Sequence, residues 1–354
     1  MSQPVRVAIA GAGIGGEHLQ AYRQLPDRFA VTAVCDLDRD RAAGIIQGED
    51  IAIAGDMADI LANPEIDLID ICLPPHLHVS SAIAALGAGK HVICEKPLAG
   101  SLHDVDQLAE AARQAKWEVF PVFQYRYGPA MEQLRALMQA GLTGRPFAAS
   151  LETHWNRGAD YYAVPWRGTW QGENGGAVLG HAIHNHDLLC CILGPVARLS
   201  ALTTTRVNEI ETEDCAAIIL EMEDGTVATS SITLGAADNT TRLRVCFEGL
   251  TAESGSAPYA PANDSWTFVA RDPARQHRVD AVIAAVKPGP AGFAGFFQAV
   301  ADRLGGQGGA EVTLADGRRS IELITAIYQA ARQGRSISLP LGPDNPLYDG
   351  WLPA

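Results

Sequence analysis

An apolar stretch, Val5 to Ala10, broken only by Arg6, runs straight into Gly11-Ala12-Gly13-Ile14-Gly15-Gly16. This junction constrains the fold more than any other part of the chain. It matches G-x-G-x-x-G with Gly11, Gly13 and Gly16. In such a turn the first glycine makes the tight bend, the second lets a pyrophosphate approach the backbone, and the third lets helix pack on strand. The helix that follows presents its free N–H groups to the phosphates. The chain has 35 glycines, so the context must support the match. A helix-like stretch with Leu19, Tyr22 and Leu25 on one side comes next, and Ala30 to Cys35 reads as a second strand ending at Asp36. Asp36 follows Gly16 by 20 residues, where a dinucleotide fold carries its ribose-binding acid. A carboxylate there accepts from the ribose 2′-hydroxyl and repels a 2′-phosphate, so NAD is expected rather than NADP. With Asp38 and Asp40 close by, a turn or helix-capping role is the competing reading of Asp36.

The alternation continues. Ile51 to Ala54, Ile66 to Leu73, His91 to Cys94 and Val119 to Phe123 read as strands. Val79 to Ala88 and a stretch from Ser101 to about Ala115 read as helices, with Ser101 as N-cap and Asp104 in the first turn. Strand and helix in strict turn predict a parallel, doubly wound sheet, in which ligands bind beyond the carboxyl ends of the strands. Pro74-Pro75-His76-Leu77-His78, Glu95-Lys96-Pro97 and Gln124-Tyr125-Arg126-Tyr127 fall there. His76 and His78 also fit helix capping, the simpler reading of the two.

Beyond about residue 122 the pattern changes. After a helix near Pro129 to Gln139 come strand-like segments: Phe147–Trp155, 196–205, 215–221, 227–234, 243–247 and 266–270. The Asp224-Gly225 turn joins two of them. Consecutive strands joined by turns predict an antiparallel sheet. The fold class is therefore α/β: an N-terminal Rossmann domain, residues 1–122, followed by an α+β domain, residues 123–354. Residues 248–264 read as a loop with little to bury. Late helices are expected over 293–304 and 316–333.

Composition narrows the partners. A net charge of −14 argues against nucleic acid or an anionic membrane. No apolar run is long enough to span a bilayer, no secretory leader is read at the N-terminus, and seven scattered cysteines suit a reducing cytoplasm. The chain has only four lysines, Lys90, Lys96, Lys116 and Lys287, and otherwise uses arginine. A lysine directly after the apolar run Val92-Ile93-Cys94 therefore draws notice, because lysine releases a proton when its surroundings lower its pKa and arginine does not. A surface Glu-Lys pair at a strand end is the plain alternative.

Two later segments are dense in chemistry. Tyr161 to Trp170 holds aromatics and Arg167 in a loop, suited to stacking on sugar C–H surfaces and to bonding hydroxyls or a carboxylate. A hydrophobic loop anchor would look the same. Gly180 to Leu189 holds His181, His184, His186 and Asp187. On one helix, His181 and His184 would share a face, as would His184 and Asp187, while His186 points away. A zinc site is conceivable from this density, but no metal is assigned.

Taken together, the chain resembles the Gfo/Idh/MocA family of glucose-fructose oxidoreductase and inositol dehydrogenase relatives. The glycine fingerprint, Leu73-Pro74-Pro75-His76-Leu77-His78, Ala88-Gly89-Lys90-His91-Val92 and Cys94-Glu95-Lys96-Pro97-Leu98-Ala99 follow its pattern, the Glu-Lys-Pro tripeptide most specifically. The resemblance implies a large, open, mostly antiparallel second sheet that mediates a homodimer or homotetramer, and sugars or polyols as substrates. It implies Lys96 and His184 as catalytic residues. Gly11, Gly13, Ile14, Gly16, Asp36, Leu73, Pro74, His78, Glu95, Lys96 and Gln124 would hold NAD. Lys96, Arg126, Tyr161, Trp166, Arg167, His181 and His184 would meet the substrate. The sequence departs from the family pattern at Gly180, where many relatives carry Asp or Asn, and His181 is the expected substitute. An oxidoreductase acting on a secondary alcohol is the leading expectation. A redox-neutral hydrolase or lyase with retained NAD, and a non-catalytic NAD sensor, are the rivals.

Overall fold

The structure, a computed structural model, describes residues 3–353. The chain divides into two compact units, Met1–Phe123 with Phe293–Ile321, and Gln124–Gly292 with Glu322–Ala354.

The first unit is built on six parallel strands: β1 (Val5–Ala10), β2 (Phe29–Cys35), β3 (Ala52–Ala54), β4 (Leu68–Ile71), β5 (His91–Cys94) and β6 (Val119–Pro121). Their order is β3-β2-β1-β4-β5-β6, so the chain reverses between β1 and β4. Val7 to Ala10, Leu68 to Ile71 and Val92 to Cys94 are all buried, as strands covered on both faces must be. Ser101 accepts from the Asp104 N–H at 3.0 Å and caps the helix Leu102–Ala115. The late helix Gly292–Leu304 packs into this unit. Its Phe297 stacks on Tyr22 with ring centres 4.0 Å apart and meets Phe29 edge-on. That aromatic layer seals the back of the first helix, Gly15–Tyr22.

The second unit carries an eight-stranded sheet in the order β13-β12-β11-β7-β10-β9-β8-β14. Its strands are β7 (Pro146–Asn156), β8 (Val196–Thr204), β9 (Cys215–Met222), β10 (Val227–Thr233), β11 (Gly235–Phe247), β12 (Leu250–Glu253), β13 (Thr267–Ala270) and β14 (Ile337–Ser338). The sheet is antiparallel except where β10 runs parallel to β7. Burial alternates along β9 and β10, so one face is covered and the other open. The buried helix Ile183–Leu193 is tied to the covered face by Asn185 Nδ2 to Thr153 at 2.9 Å and by His186 Nε2 with Ser230 at 2.9 Å. On the open face, Ile219 and Leu202 are 63% and 70% exposed. No helix of the described residues is long and apolar enough to cross a membrane.

Three expectations are corrected. The stretch from residue 123 onward is not one unit, because the segment Phe293–Ile321 joins the first through its aromatic contacts. Strand β11 begins at Gly235, not near 243, because its first half is polar and shows no apolar alternation. The segment 248–264 is not a loose loop: it contains β12, and Pro261 and Ala262 are buried, with the Ala262 carbonyl so close to Gly128 that no Cβ would fit there.

Candidate active site

Two groups of side chains stand out, one in each unit. In the first, Gly11 adopts φ +104°, and a Cβ there would collide with the Cys72 carbonyl. At Gly13 the space that a Cβ would occupy is open to beyond 4 Å, so the backbone is bare just where a pyrophosphate needs to approach. The tightest helix-on-strand contact belongs to Gly15, whose Cβ would sit 2.7 Å from Ile9, while Gly16 is looser, 3.3 Å from Ile45. The packing glycine is thus Gly15 rather than the expected Gly16. Ile14 lies exposed at the helix N-terminus.

At the end of β2, Asp36 accepts from the Ala12 N–H at 2.7 Å and the Asp38 N–H at 2.8 Å. The helix cap is Asp38, which accepts from the Arg41 N–H at 3.0 Å. Asp36 is therefore tied to the glycine turn and is not the cap. Leu73 and Pro74 follow β4. His78 is buried, with Nδ1 2.7 Å from the Pro97 carbonyl and Nε2 2.8 Å from that of Leu73. It clamps together the loops after β4 and β5, a role that differs from both capping and nucleotide contact. Burial draws its pKa down, and the two carbonyls work against that shift.

Behind Lys96 lies a buried polar network. His18, from the first helix, places Nδ1 2.8 Å from Asp70 and Nε2 3.1 Å from Glu95. Tyr22 donates to Asp70 at 3.0 Å, and Glu95 accepts the Lys96 backbone N–H at 2.9 Å. Ionised carboxylates only accept, so a ring between two of them needs both nitrogens protonated. Burial opposes the charge on His18, but the Asp70 carboxylate works against that penalty, and the His18 pKa lies well above the usual value. The Cys72 thiol, 3.4 Å from Nδ1, stays protonated, with burial pushing its pKa up to about 12. Lys96 itself is half-buried. Desolvation lowers its pKa, and Glu95 pulls the other way. The sequence gives no sign of His18, Asp70 and Tyr22 at this place, since contacts between residues 18, 70 and 95 leave no local pattern.

In the second unit, Gln124, Tyr125 and Arg126 form a short 3-10 turn. Gln124 is partly buried, and among the described residues its Oε1 has no hydrogen-bond partner, an acceptor left for an N–H such as a carboxamide ligand would bring. Arg126 makes a buried two-pronged pair with Asp187, at 2.7 and 2.5 Å. Its guanidinium thus anchors the helix Ile183–Leu193, which argues against the expected substrate contact. On that helix His184 is buried, and Tyr125 stacks on its ring with centres 4.6 Å apart. His181 is not on the same helix: it caps the short helix Ala177–Gly180, and the two histidines do not share a helical face. Its ring meets Trp155 at 5.5 Å and Tyr161 at 5.7 Å. His186 points to Ser230, and burial alone lowers its pKa to about 4.

Around Tyr161 gathers an aromatic and cationic wall. The Arg167 guanidinium sits 3.9 Å from the Tyr161 ring centre and 5.3 Å from that of Trp166, which is half exposed. Arg157 lies 5.4 Å from the same Tyr161 ring and donates to Tyr259 at 2.8 Å. Tyr125, Trp155, Arg157 and Tyr259 are additions to the expected set. Only Tyr125, one residue from Gln124 and Arg126, has any hint in the sequence.

The comparisons agree with this geometry. Residues 5–123 match the model of the oxidoreductase family with an NAD-binding Rossmann fold, and residues 131–253 match the GFO/IDH/MocA C-terminal domain. The chain belongs to the Gfo/Idh/MocA family. Its first part is an NAD-binding domain, and the chain is an NAD-dependent oxidoreductase of that family. An uncharacterized oxidoreductase of Synechocystis is 29% identical over 66% of this chain and 66% of its own length. A myo-inositol 2-dehydrogenase of Thermotoga maritima is 26% identical over 67% of this chain and 69% of its own. Among solved structures, the WlbA dehydrogenase of Chromobacterium violaceum, in complex with NADH and UDP-GlcNAcA, is 27% identical. The match covers 97% of this chain and 98% of that one, with a TM-score of 0.83.

Proposed function

We propose that this protein oxidises a secondary alcohol of a sugar, polyol or related hydroxyl compound, with Lys96 and His184 acting on the same hydroxyl. The observation that carries the reading is the coexistence of two separately built groups. One is a lysine with a lowered pKa just past strand β5 of the NAD-binding unit, its backbone N–H held by Glu95. The other is a buried histidine held by stacking and by an anchored helix. NAD, when bound, supplies the hydride acceptor, held by the turn of Gly11, Gly13, Ile14 and Gly16, by Asp36 at the ribose, and by Leu73, Pro74 and Gln124. His184 takes the hydroxyl proton as general base as the hydride leaves the carbon, and the product is the ketone. Lys96 bonds the same oxygen and offsets its developing negative charge. Tyr161, Trp166, Arg167 and His181 orient the substrate, while His78 and Arg126 act by fixing loops.

An NAD sensor without catalysis would have no use for Lys96 and His184 together, and this favours the enzyme. The open face of the second sheet, with its exposed Ile219, Leu202, Val227 and Val269, supports assembly into a dimer or tetramer through that sheet. The test of the residue roles is a pair of substitutions. His184→Asn should lower turnover by roughly 10²–10⁴-fold with NAD affinity unchanged. Lys96→Arg should be nearly as damaging as Lys96→Ala, because arginine keeps the charge and cannot share a proton. If Lys96→Arg keeps more than about a tenth of normal turnover, a loss under roughly 1.4 kcal/mol, Lys96 is a fixed charge only.

A further inference from the structure

The connection between β8 and β9 ends in the acidic run Glu211-Thr212-Glu213-Asp214. Glu213 and Asp214 are 4% and 0% exposed, which acids tolerate only when hydrogen-bonded. Asp214 stiffens the connection itself, accepting from the N–H groups of Arg206, Val207 and Asn208 at 2.7, 2.9 and 2.8 Å. Glu211 and Glu213 reach outward, to the two segments proposed to meet the substrate. At the end of the Tyr161–Trp170 loop, the Glu211 carboxylate accepts from the Trp170 N–H at 3.0 Å and its carbonyl from the Trp170 indole at 3.1 Å. Glu213 holds the short helix Ala177–Gly180. One oxygen of its carboxylate accepts from the Val178 N–H and from the Tyr328 hydroxyl, both at 3.0 Å, and the other accepts from the Gly176 N–H at 3.2 Å. Its carbonyl accepts from the Ala177 N–H at 2.8 Å, so three successive amides end on one residue. The approach is close enough to require both glycines before the helix. A Cβ on Gly176 would lie 2.0 Å from the Glu213 carbonyl oxygen, and one on Gly175 2.5 Å from the Tyr328 hydroxyl. From there the chain has little slack. The Ala177 carbonyl accepts from the N–H groups of His181 and Ala182 at 3.2 and 2.9 Å, and His184 follows two residues on.

We propose that Glu213 is a positioning residue for the oxidation: its carboxylate, by holding the amides of Gly176 and Val178, sets where His181 and His184 stand. This rests on the role given to His184 above. Only the ionised form can do it. A carboxylate accepts from all three donors, whereas a protonated one turns an O–H toward a donor and leaves that donor unpaired. Burial pushes the Glu213 pKa up to about 7, against the hydrogen bonds from Val178, Tyr328 and Gly176, so the change of form falls in the working range. The other titratable groups around it are Tyr328 and Arg332 from the helix Leu314–Gln333, Glu211 and Asp214 from its own connection, and His181 past the far end of the held helix. A shift of this segment by about 1 Å is enough to cost roughly 10²-fold in rate.

The experiment has two arms, run on wild type, Glu213→Gln, Glu213→Asp and Tyr328→Phe. The first needs no substrate: amide hydrogen exchange of the peptide spanning residues 175–182, corrected for the intrinsic rate at each pH. In the wild type, protection should rise about tenfold between about pH 5.5 and about pH 8.5. In Glu213→Gln it should stay low throughout. Tyr328→Phe keeps the charge and removes one donor, so its rise should come at higher pH. The second arm is kcat/KM with NAD and myo-inositol, D-glucose or D-glucuronate. Glu213→Gln should lose roughly 10–10²-fold at about pH 8.5 with the KM for NAD unchanged, and Glu213→Asp should recover part of it. The gap between wild type and Glu213→Gln should close toward about pH 5.5, where the wild type has also lost the carboxylate. A gap that is the same at every pH makes Glu213 merely structural and overturns the proposal, as does exchange that ignores both pH and substitution. Exchange that follows Glu213 in a protein that oxidises none of the three overturns the oxidation reading and Glu213's part in it, and leaves only the pH-dependent clamp.

Discussion

Replacing His18 by leucine should cost this protein stability in a way that depends on pH. In the wild type Asp70 and His18 are fully buried and Glu95 is 7% exposed. Leucine would fill the space beside Phe293 and Phe297, whose ring centres lie 4.5 and 5.3 Å from the imidazole, so little packing is lost. The charge is the larger matter. Removing one partner of a buried ion pair costs about 3–5 kcal/mol, because the remaining charge is left uncompensated. Tyr22 still donates to Asp70 and the Lys96 N–H to Glu95, which places the loss near the lower end of that range, about 3 kcal/mol. For a unit of this size that is a fall in Tm of roughly 6–12 °C. The sign with pH follows from the raised pKa of His18. Its contribution is complete below the unfolded histidine pKa of about 6.5 and is lost as pH rises through the folded value. The gap between wild type and His18→Leu should therefore be widest near pH 6 and shrink toward pH 10. Thermal melts by circular dichroism over that range would measure it. Equal stability at pH 6, or a gap that does not move with pH, would refute the picture of a protonated histidine between two carboxylates.

Two further outcomes follow. Asp36→Ser should bring the affinities for NAD and NADP within a few-fold of each other, where the wild type favours NAD strongly; fluorescence titration with both nucleotides measures it, and an unchanged preference would remove Asp36 from the ribose. Sedimentation at micromolar concentration should give a dimer or tetramer, and Ile219→Asp, placed on the open sheet face, should shift it toward monomer.

The first unit is legible in the sequence because its signals are local. A strand, a glycine turn and a helix follow one another directly, and burial on both faces gives β1, β4 and β5 their nearly unbroken apolar runs. What cannot be read is long-range. The helix Gly292–Leu304 returns to the first unit through aromatic contacts with Tyr22 and Phe29, from the far end of the chain. The parallel pairing of β10 with β7 likewise leaves no mark on either strand. Of the proposed catalytic residues, His184 and Lys96 can each be named from a motif, but the groups that fix them cannot. Arg126 reads as a substrate ligand from its place after a strand, whereas its guanidinium is taken by Asp187, 61 residues away. His18 reads as an ordinary helix residue, and only folding sets it between Asp70 and Glu95. Arg157 and Tyr259 meet across 102 residues, from a strand end and a segment whose composition suggests nothing to bury.

The central claim is net oxidation of a carbon-bound hydroxyl by NAD. It is tested most directly by incubating the purified protein with NAD and a panel of neutral and acidic sugars and polyols, and following the nicotinamide absorbance to completion. The expected result is NADH in proportion to the ketone formed, with at least one member of the panel. Conversion of a sugar with no net NADH would contradict the claim and point to redox-neutral chemistry on a retained cofactor.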